Sequence, residues 1–305
     1  MVCYRPIEAW KAVNKDGSTR IVFRLSERTL ETRLYLPCGG CVGCRLEYSK
    51  QWGVRVMHEA QMHPENCFIT LTYNEDHLPE DGSLVKEHFT KFLKRLRKKY
   101  GTGIKFYMCG EYGDIHGRPH YHSIIFGHGF LDDRVYLKTT PSGEKLYTSA
   151  SLQALWTDPK TKEDYGYATV GDVTFRSACY VARYVMKKWK GDIEKIQDHY
   201  QGKEPEYGNM SRGGKDGKGL GYSWFMKYKD DLYPSDECII EGRKVKIPRY
   251  YDELRKEIEQ QEYEKTKRER IRASQKHKKD NTSRRLKDRE VCHEARAKHL
   301  RKDLE

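Results

Sequence analysis

His120 and His122 stand two residues apart in RPHYHSIIFG (118–127), and Tyr180 and Tyr184 stand four apart in CYVARYVMKK (179–188). On a strand, alternate side chains point to one face, so the two imidazoles project together while Tyr121 turns to the other side. Separated by about 6–7 Å at Cα, they can converge on one divalent ion. On a helix, residues four apart lie one turn apart on one face. A phenol with a reference pKa of about 10 is a poor nucleophile at neutral pH. A metal-bound phosphate that becomes more electrophilic, and a nearby cation that favours phenolate, supply what it lacks. Arg183 and Lys187 each follow a tyrosine by three positions. Attack of the phenol on a phosphodiester leaves a phosphotyrosine diester, which conserves the bond for rejoining. The chemistry these strings could do together is cutting single-stranded DNA while staying attached to it.

A third ligand comes from the hairpin that must precede the histidines. The loop YGDIHGRP carries Gly113, Gly117 and Pro119, which fits a turn with proline at the start of the returning strand. If Tyr112 pairs with Pro119, Glu111 lies across from His120, roughly 5 Å away at Cβ. Two histidines and one carboxylate, with positions left open for phosphate and water, suit Mg²⁺ or Mn²⁺. His116 is a rival third ligand at the loop tip. Taken alone, the histidine pair reads as packing or surface chemistry and the tyrosine pair as aromatics packed on a sheet; the carboxylate raises the pair above that reading.

PCGGCVGCR (37–45) spaces Cys38, Cys41 and Cys44 by two residues each, and Cys3 is available as a fourth ligand. Four thiolates form a tetrahedral Zn²⁺ site that would pin the N-terminus. The triple spacing is also part of an iron–sulfur run, but Arg45 follows it and no fourth cysteine sits close by, which weakens that reading. Free buried thiols are the alternative. Cys292 and His293 read as incidental.

These residues need elements to position them. A helix is expected over about 47–61, a strand over Cys67–Tyr73, and a helix from Val85 to Tyr100 with Val85, Phe89, Phe92, Leu93 and Leu96 on one side. Lys105–Glu111 and His120–Phe126 follow as strands. After an insertion at about 128–165, with a short helix near Ser149–Trp156, come a strand near Tyr167–Phe175 and the tyrosine helix. This order predicts an α+β sandwich, helices on a mostly antiparallel sheet. The expected domains are a cysteine-rich N-terminal extension (1–60), a catalytic domain (61–245) and a charged tail (246–305). In the tail, Tyr251, Leu254 and Ile258 form a short helical stripe. Gln275–Arg285 has no apolar residue, so a mobile basic arm, helical or disordered, is expected there.

Composition narrows the partner. A net charge of +13 over 305 residues, with basic residues spread along the chain, favours nucleic acid over a membrane surface. With 34% charged residues and a mean hydropathy of −0.92, part of the chain must be solvated or bound to something. No apolar run approaches a membrane span, and no h-region of a signal peptide opens the chain. Nine cysteines in a chain without a secretory signal read as reduced thiols or metal ligands, which places the protein in the cytoplasm. The glycine- and lysine-rich segment from Gln201 to Tyr222 has no Gly-Lys-Ser/Thr, so no nucleotide-driven motor is encoded there. It reads equally as a solvated loop or as a DNA-backbone contact.

In this order, the cysteine cluster, FITLTY (68–73), GRPHYH (117–122) and YVARYVMKK (180–188) resemble the replication initiators of small single-stranded DNA phages. The resemblance is to the gokushovirus branch of the microviruses, relatives of the phiX-type gene A protein within the HUH endonuclease superfamily. It covers roughly residues 1–230. It implies a ferredoxin- or RRM-like sheet bearing the metal site of Glu111, His120 and His122. It also implies nicking and rejoining of origin single-stranded DNA in rolling-circle replication, with Tyr180 and Tyr184 as nucleophiles. Arg183 stands where many relatives carry lysine, so charge stabilisation survives there and a proton-transfer role does not. The implied partners are a host helicase, single-strand-binding protein and polymerase, in the cytoplasm of a bacterial host. Two rivals remain from the residues themselves. A tyrosine transposase of the same superfamily shares the chemistry, and a non-catalytic zinc-containing nucleic-acid-binding protein explains charge and cysteines alone.

Overall fold

The structure is a computed structural model and describes residues 3–26, 29–113, 116–185, 198–213, 218–276 and 278–298. The chain forms two compact units, Met1–Tyr48 together with Gln261–Arg301, and Ser49–Gln260.

In the smaller unit, β1 (Ile7–Val13), β2 (Thr19–Val22) and β3 (Thr29–Leu36) make an antiparallel sheet in the order β2-β1-β3. The sequence reading did not find these strands, because β2 is largely exposed and β1 buries only small side chains, Ala9 and Ala12. The charged tail also differs from expectation. It is helical over Gln260–Gln275 and Ser283–Lys298, and a short 3₁₀ turn at Lys278–Asp280 interrupts the segment read as a mobile arm. Glu290 of the last helix is buried and accepts a hydrogen bond from Arg5 Nε at 2.8 Å. The Tyr4 hydroxyl lies 2.9 Å from His293 Nδ1, so His293 is not incidental: it ties the tail to the N-terminal segment.

The larger unit is built on α1 (Val42–Ala60), β4 (Asn66–Thr72), α2 (Lys86–Tyr100), β5 (Lys105–Tyr112) and β6 (Pro119–Phe126). The insertion carries a hairpin, β7 (Arg134–Thr139) and β8 (Lys145–Ser149), then the single-turn α3 (Ala150–Gln153). β9 (Ala168–Gly171) leads into the tyrosine helix α4 (Phe175–Val185). β10 (Tyr207–Met210) arises from the glycine-rich segment read as a loop. Then come α5 (Tyr222–Leu232), the hairpin of β11 (Glu237–Ile240) and β12 (Arg243–Lys246), and α6 (Arg249–Ile258). The strands β7, β8 and β10 lack the apolar alternation of a half-buried strand: β7 is largely exposed, and β10 is short and contains glycine.

Seven strands form one sheet in the order β10-β5-β6-β4-β9-β8-β7, with neighbours antiparallel throughout. β4 and β5 flank β6 and run parallel to each other, joined through α2, which is a split β-α-β unit. Every residue of β6 is buried, because both faces of the sheet are covered there. On one face Ile69, Leu71, Met108, Tyr121 and Ile125 pack against Phe89, Phe92, Leu93 and Leu96 of α2. On the other, Phe68, Tyr107, Cys109, Ile124 and Phe126 meet Trp52 and Val56 of α1 and Ala178, Tyr180, Val181 and Ala182 of α4. The period-two alternation of β4, β5 and β6 thus divides two cores between two layers of helix.

α1 and α4 cross closely at Gly53. A Cβ at that position would stand 2.5 Å from Cys179 Sγ and 2.7 Å from the Phe175 ring, closer than real side chains approach. α4 begins in a reciprocal cap: Ser177 N donates to Thr174 Oγ1 at 3.1 Å, and Thr174 N donates to Ser177 Oγ at 2.9 Å. Ser49 Oγ donates to the Cys179 carbonyl at 2.7 Å. Cap, glycine and serine together fix the stretch of helix that carries Tyr180. A third cluster, Val54, Trp224, Phe225, Ile240 and Tyr251, covers the outer side of α1. Tyr251, the first residue of the helical stripe, is therefore core, whereas Ile258, the last, is 47% exposed.

Candidate active site

Pairing in the β5–β6 hairpin follows the expected register, Glu111 opposite His120 and Tyr112 opposite Pro119. The side chains converge as the alternation requires: Glu111 Oε1 lies 3.3 Å from His120 Nε2 and 2.9 Å from His122 Nε2. One ligand atom from each of the three residues lies within 4.8 Å of the others, and all three residues are buried. Tyr121 points to the opposite core, where its hydroxyl bonds Tyr73 and donates to the Val85 carbonyl. Burial pushes the Tyr121 phenol up to about 12, so it stays a neutral hydrogen-bond donor.

The imidazoles are oriented from behind. His120 Nδ1 stands 3.0 Å from the Arg118 carbonyl, which can only accept, so Nδ1 carries the proton. In a neutral ring, Nε2 then turns a lone pair toward the Glu111 carboxylate. Neither Glu111 oxygen receives a hydrogen bond among the described residues. A buried carboxylate facing imidazole lone pairs is unfavourable unless a cation lies between them. Two imidazoles and a carboxylate converging in this way fit a divalent metal ion. His116, the rival ligand, is exposed and stands outside this group.

Tyr180 sits beside this cluster, its ring edge-on to His122 with centroids 5.1 Å apart, and Phe68 stacks on the same imidazole. Tyr180 is 2% exposed, so its ring is part of the core between α4 and the sheet. The Arg183 guanidinium lies 5.9 Å from the Tyr180 ring centroid. Tyr184 follows one turn later in α4. Its side chain lies outside the described residues, as does Lys187.

In the smaller unit, Cys3, Cys38, Cys41 and Cys44 bring their sulfurs within 4.8 Å of one another, although Cys3 is distant in sequence. Backbone N–H groups point at the sulfurs: Cys38 N at Cys3 Sγ (3.3 Å), Cys41 N at Cys38 Sγ (3.3 Å) and Cys44 N at Cys41 Sγ (3.4 Å). Burial disfavours the Cys41 thiolate, but the Tyr4 and Cys44 N–H groups and the neighbouring thiols outweigh it and bring the pKa to about 7. Burial raises Cys44 and Cys3 instead. One thiol inclined to ionise among four converging sulfurs fits a metal cation.

Sequence reasoning missed Thr70 and Phe68 as neighbours of His122. FITLTY contained both, but only cross-strand pairing shows that Thr70 faces His122 across β4 and β6. No helix among the described residues is long and apolar enough to cross a membrane.

Residues 66–189, from β4 past the tyrosine helix, match the family model for the replication-associated protein ORF2. The replication-associated protein ORF2 of Spiroplasma virus 4 is 36% identical over 254 residues, covering 77% of this chain and 73% of the relative. The replication-associated protein VP4 of Bdellovibrio phage phiMH2K is 33% identical, with 83% and 76% covered. The replication-associated protein ORF4 of Chlamydia phage 1 is 32% identical over 73% of this chain and 54% of its own length. No solved structure matches significantly. Similarity that runs through both metal-ligand strands and the tyrosine helix, at this identity and coverage, places the chain in the replication-associated protein family of the microviruses.

Proposed function

We propose that this protein nicks and rejoins single-stranded origin DNA through a phosphotyrosine intermediate, as the endonuclease that starts rolling-circle replication. The observation that carries this reading is the buried Glu111, His120 and His122 cluster with Tyr180 edge-on to His122. Mg²⁺ or Mn²⁺ held by the three ligands would supply Lewis-acid polarisation of the scissile phosphate. The tyrosine phenol attacks phosphorus, the bond from phosphorus to the 3′ oxygen breaks, and the phenolic proton is balanced by the proton taken up at the new 3′-hydroxyl. The diester is kept on the tyrosine and can be returned by the reverse attack of a 3′-hydroxyl. Arg183, close to the Tyr180 ring, favours the phenolate by its charge. The split β-α-β unit supports the ferredoxin-like assignment of the sheet. The host partners in this reading are a helicase, a single-strand-binding protein and a polymerase, since the sequence carries no motor motif.

The test is direct. Purified protein incubated with an origin oligonucleotide and Mn²⁺ is expected to form a species of protein plus DNA that survives denaturing electrophoresis and is lost with EDTA. A protein that binds the oligonucleotide but never forms this adduct is a binding protein, and the reading fails.

The ion proposed for the four cysteines is structural Zn²⁺. Metal analysis is expected to find about one zinc per chain. A strong chelator should then lower the melting temperature of the N-terminal unit, because binding free energy at such sites is folding free energy. Zinc-free protein of unchanged melting temperature would rule the assignment out.

A further inference from the structure

The FITLTY segment is left without a role by the cleavage chemistry itself, yet its residues surround His122. Thr70 pairs with His122 in the β4–β6 register, and Thr70 Oγ1 stands 2.9 Å from His122 Nδ1 with both side chains buried. We infer that Thr70 is the positioning residue of the metal site, holding His122 in the tautomer whose Nε2 carries the ligating lone pair. This inference rests on the metal reading of Glu111, His120 and His122.

The two histidines are held by different chemistry. His120 donates from Nδ1 to the Arg118 main-chain carbonyl, an acceptor that no side-chain substitution removes. His122 has a hydroxyl in the equivalent place. A threonine hydroxyl both donates and accepts, so it does not by itself choose the tautomer. The carboxylate does not choose alone either. With no cation present, Glu111 Oε1, 2.9 Å from His122 Nε2, favours a proton on Nε2, which is the form that cannot ligate. Thr70 accepts from Nδ1–H and so stabilises the competing form, in which Nε2 carries a lone pair. Phe68, stacked at 5.5 Å between centroids, keeps the ring plane fixed while the proton moves between nitrogens. The tautomer, and with it the affinity for the ion, is set by one hydroxyl on the neighbouring strand. Partners of this kind that orient metal-ligating histidines typically matter by about 10–100-fold in affinity.

Thr70→Val removes the hydroxyl and keeps the β-branched shape; Thr70→Ser restores the hydroxyl. Mn²⁺ binding to the metal-free protein, followed by the loss of the free-ion electron paramagnetic resonance signal, reads affinity without any DNA cleavage. The expected result is a dissociation constant raised about 10–100-fold by Thr70→Val and restored to within about threefold by Thr70→Ser. Nitrogen-15 shifts of the His122 ring should move from a protonated Nδ1 in the metal-loaded wild type toward a mixture in Thr70→Val. Saturating Mn²⁺ should return Thr70→Val cleavage close to the wild-type rate, the behaviour of weakened binding with intact chemistry. Equal Mn²⁺ affinity in Thr70→Val and wild type overturns the inference, and so does an affinity loss that Thr70→Ser fails to restore. If the wild type itself binds no Mn²⁺, the metal reading falls first, and the two failures are told apart by that control.

Discussion

Phenylalanine at both Tyr180 and Tyr184 is expected to abolish the covalent protein–DNA adduct, with a loss of at least about 1,000-fold relative to the wild type. Phenylalanine keeps the ring and removes only the hydroxyl. That matters at Tyr180, whose ring packs against His122 and Phe68 and would leave a cavity if truncated further. The single substitutions are expected to retain some adduct but to release few closed circles, because one phenol must keep the old 5′ end while the other makes the new cut. Residues four apart on α4 are separated by about 6 Å in rise, which lets the helix serve both steps without moving. Adduct bands on denaturing gels and circular product on a two-step origin substrate measure the two effects separately. An adduct in the double variant, or wild-type circle release by one single variant, would show that the tyrosines do not alternate.

The second large effect is at the metal ligands. Glu111→Gln and His120→Ala are each expected to lower Mn²⁺-dependent nicking by at least about 100-fold. Binding to single-stranded DNA at low salt should change by less than about threefold, since phosphate contacts from the basic surface supply that affinity. Glu111→Gln carries a further expectation. The carboxylate is 1% exposed and faces two imidazoles, so the metal-free variant should melt at the same temperature as the metal-free wild type or higher. Loss of metal response together with retained or increased stability separates a ligand from a structural residue. Full cleavage by His120→Ala at ordinary Mn²⁺ concentrations, or a Glu111→Gln protein that simply unfolds, would contradict the assignment.

Elsewhere the molecule holds its charge through structure rather than chemistry. Glu59 of α1 is fully buried, and burial opposes its ionisation. Its bonds from His63, Lys105 and the Gly221 N–H outweigh that and bring its pKa to about 2. The depressed value means the stabilisation is present above the ordinary carboxylate range and is lost as pH falls toward 2. This places the acid limit of the larger unit in the same α1 helix that packs against α4.

What the sequence determined by itself was the chemistry and its local geometry. The alternation in GRPHYH fixed which way His120 and His122 face, because side-chain period two is a property of any extended chain. The hairpin register that brings Glu111 across from His120 follows from the glycines and proline between the strands. The helix bearing Tyr180, the strand of FITLTY and the apolar face of α2 were legible for the same reason, since each buries a periodic stripe. Tertiary structure decided what periodicity does not encode. β7, β8 and β10 extend the sheet through backbone pairing with little side-chain burial, so they left no apolar pattern to read. Cys3 joins the cysteine cluster, and His293 joins Tyr4, only through long-range folding of segments far apart in sequence. Thr70 acquires its partner because β4 returns beside β6, a pairing set by the order of strands in the sheet. Local sequence specifies direction along a strand; which strand lies next to it is a cooperative outcome of burying both faces of the sheet at once.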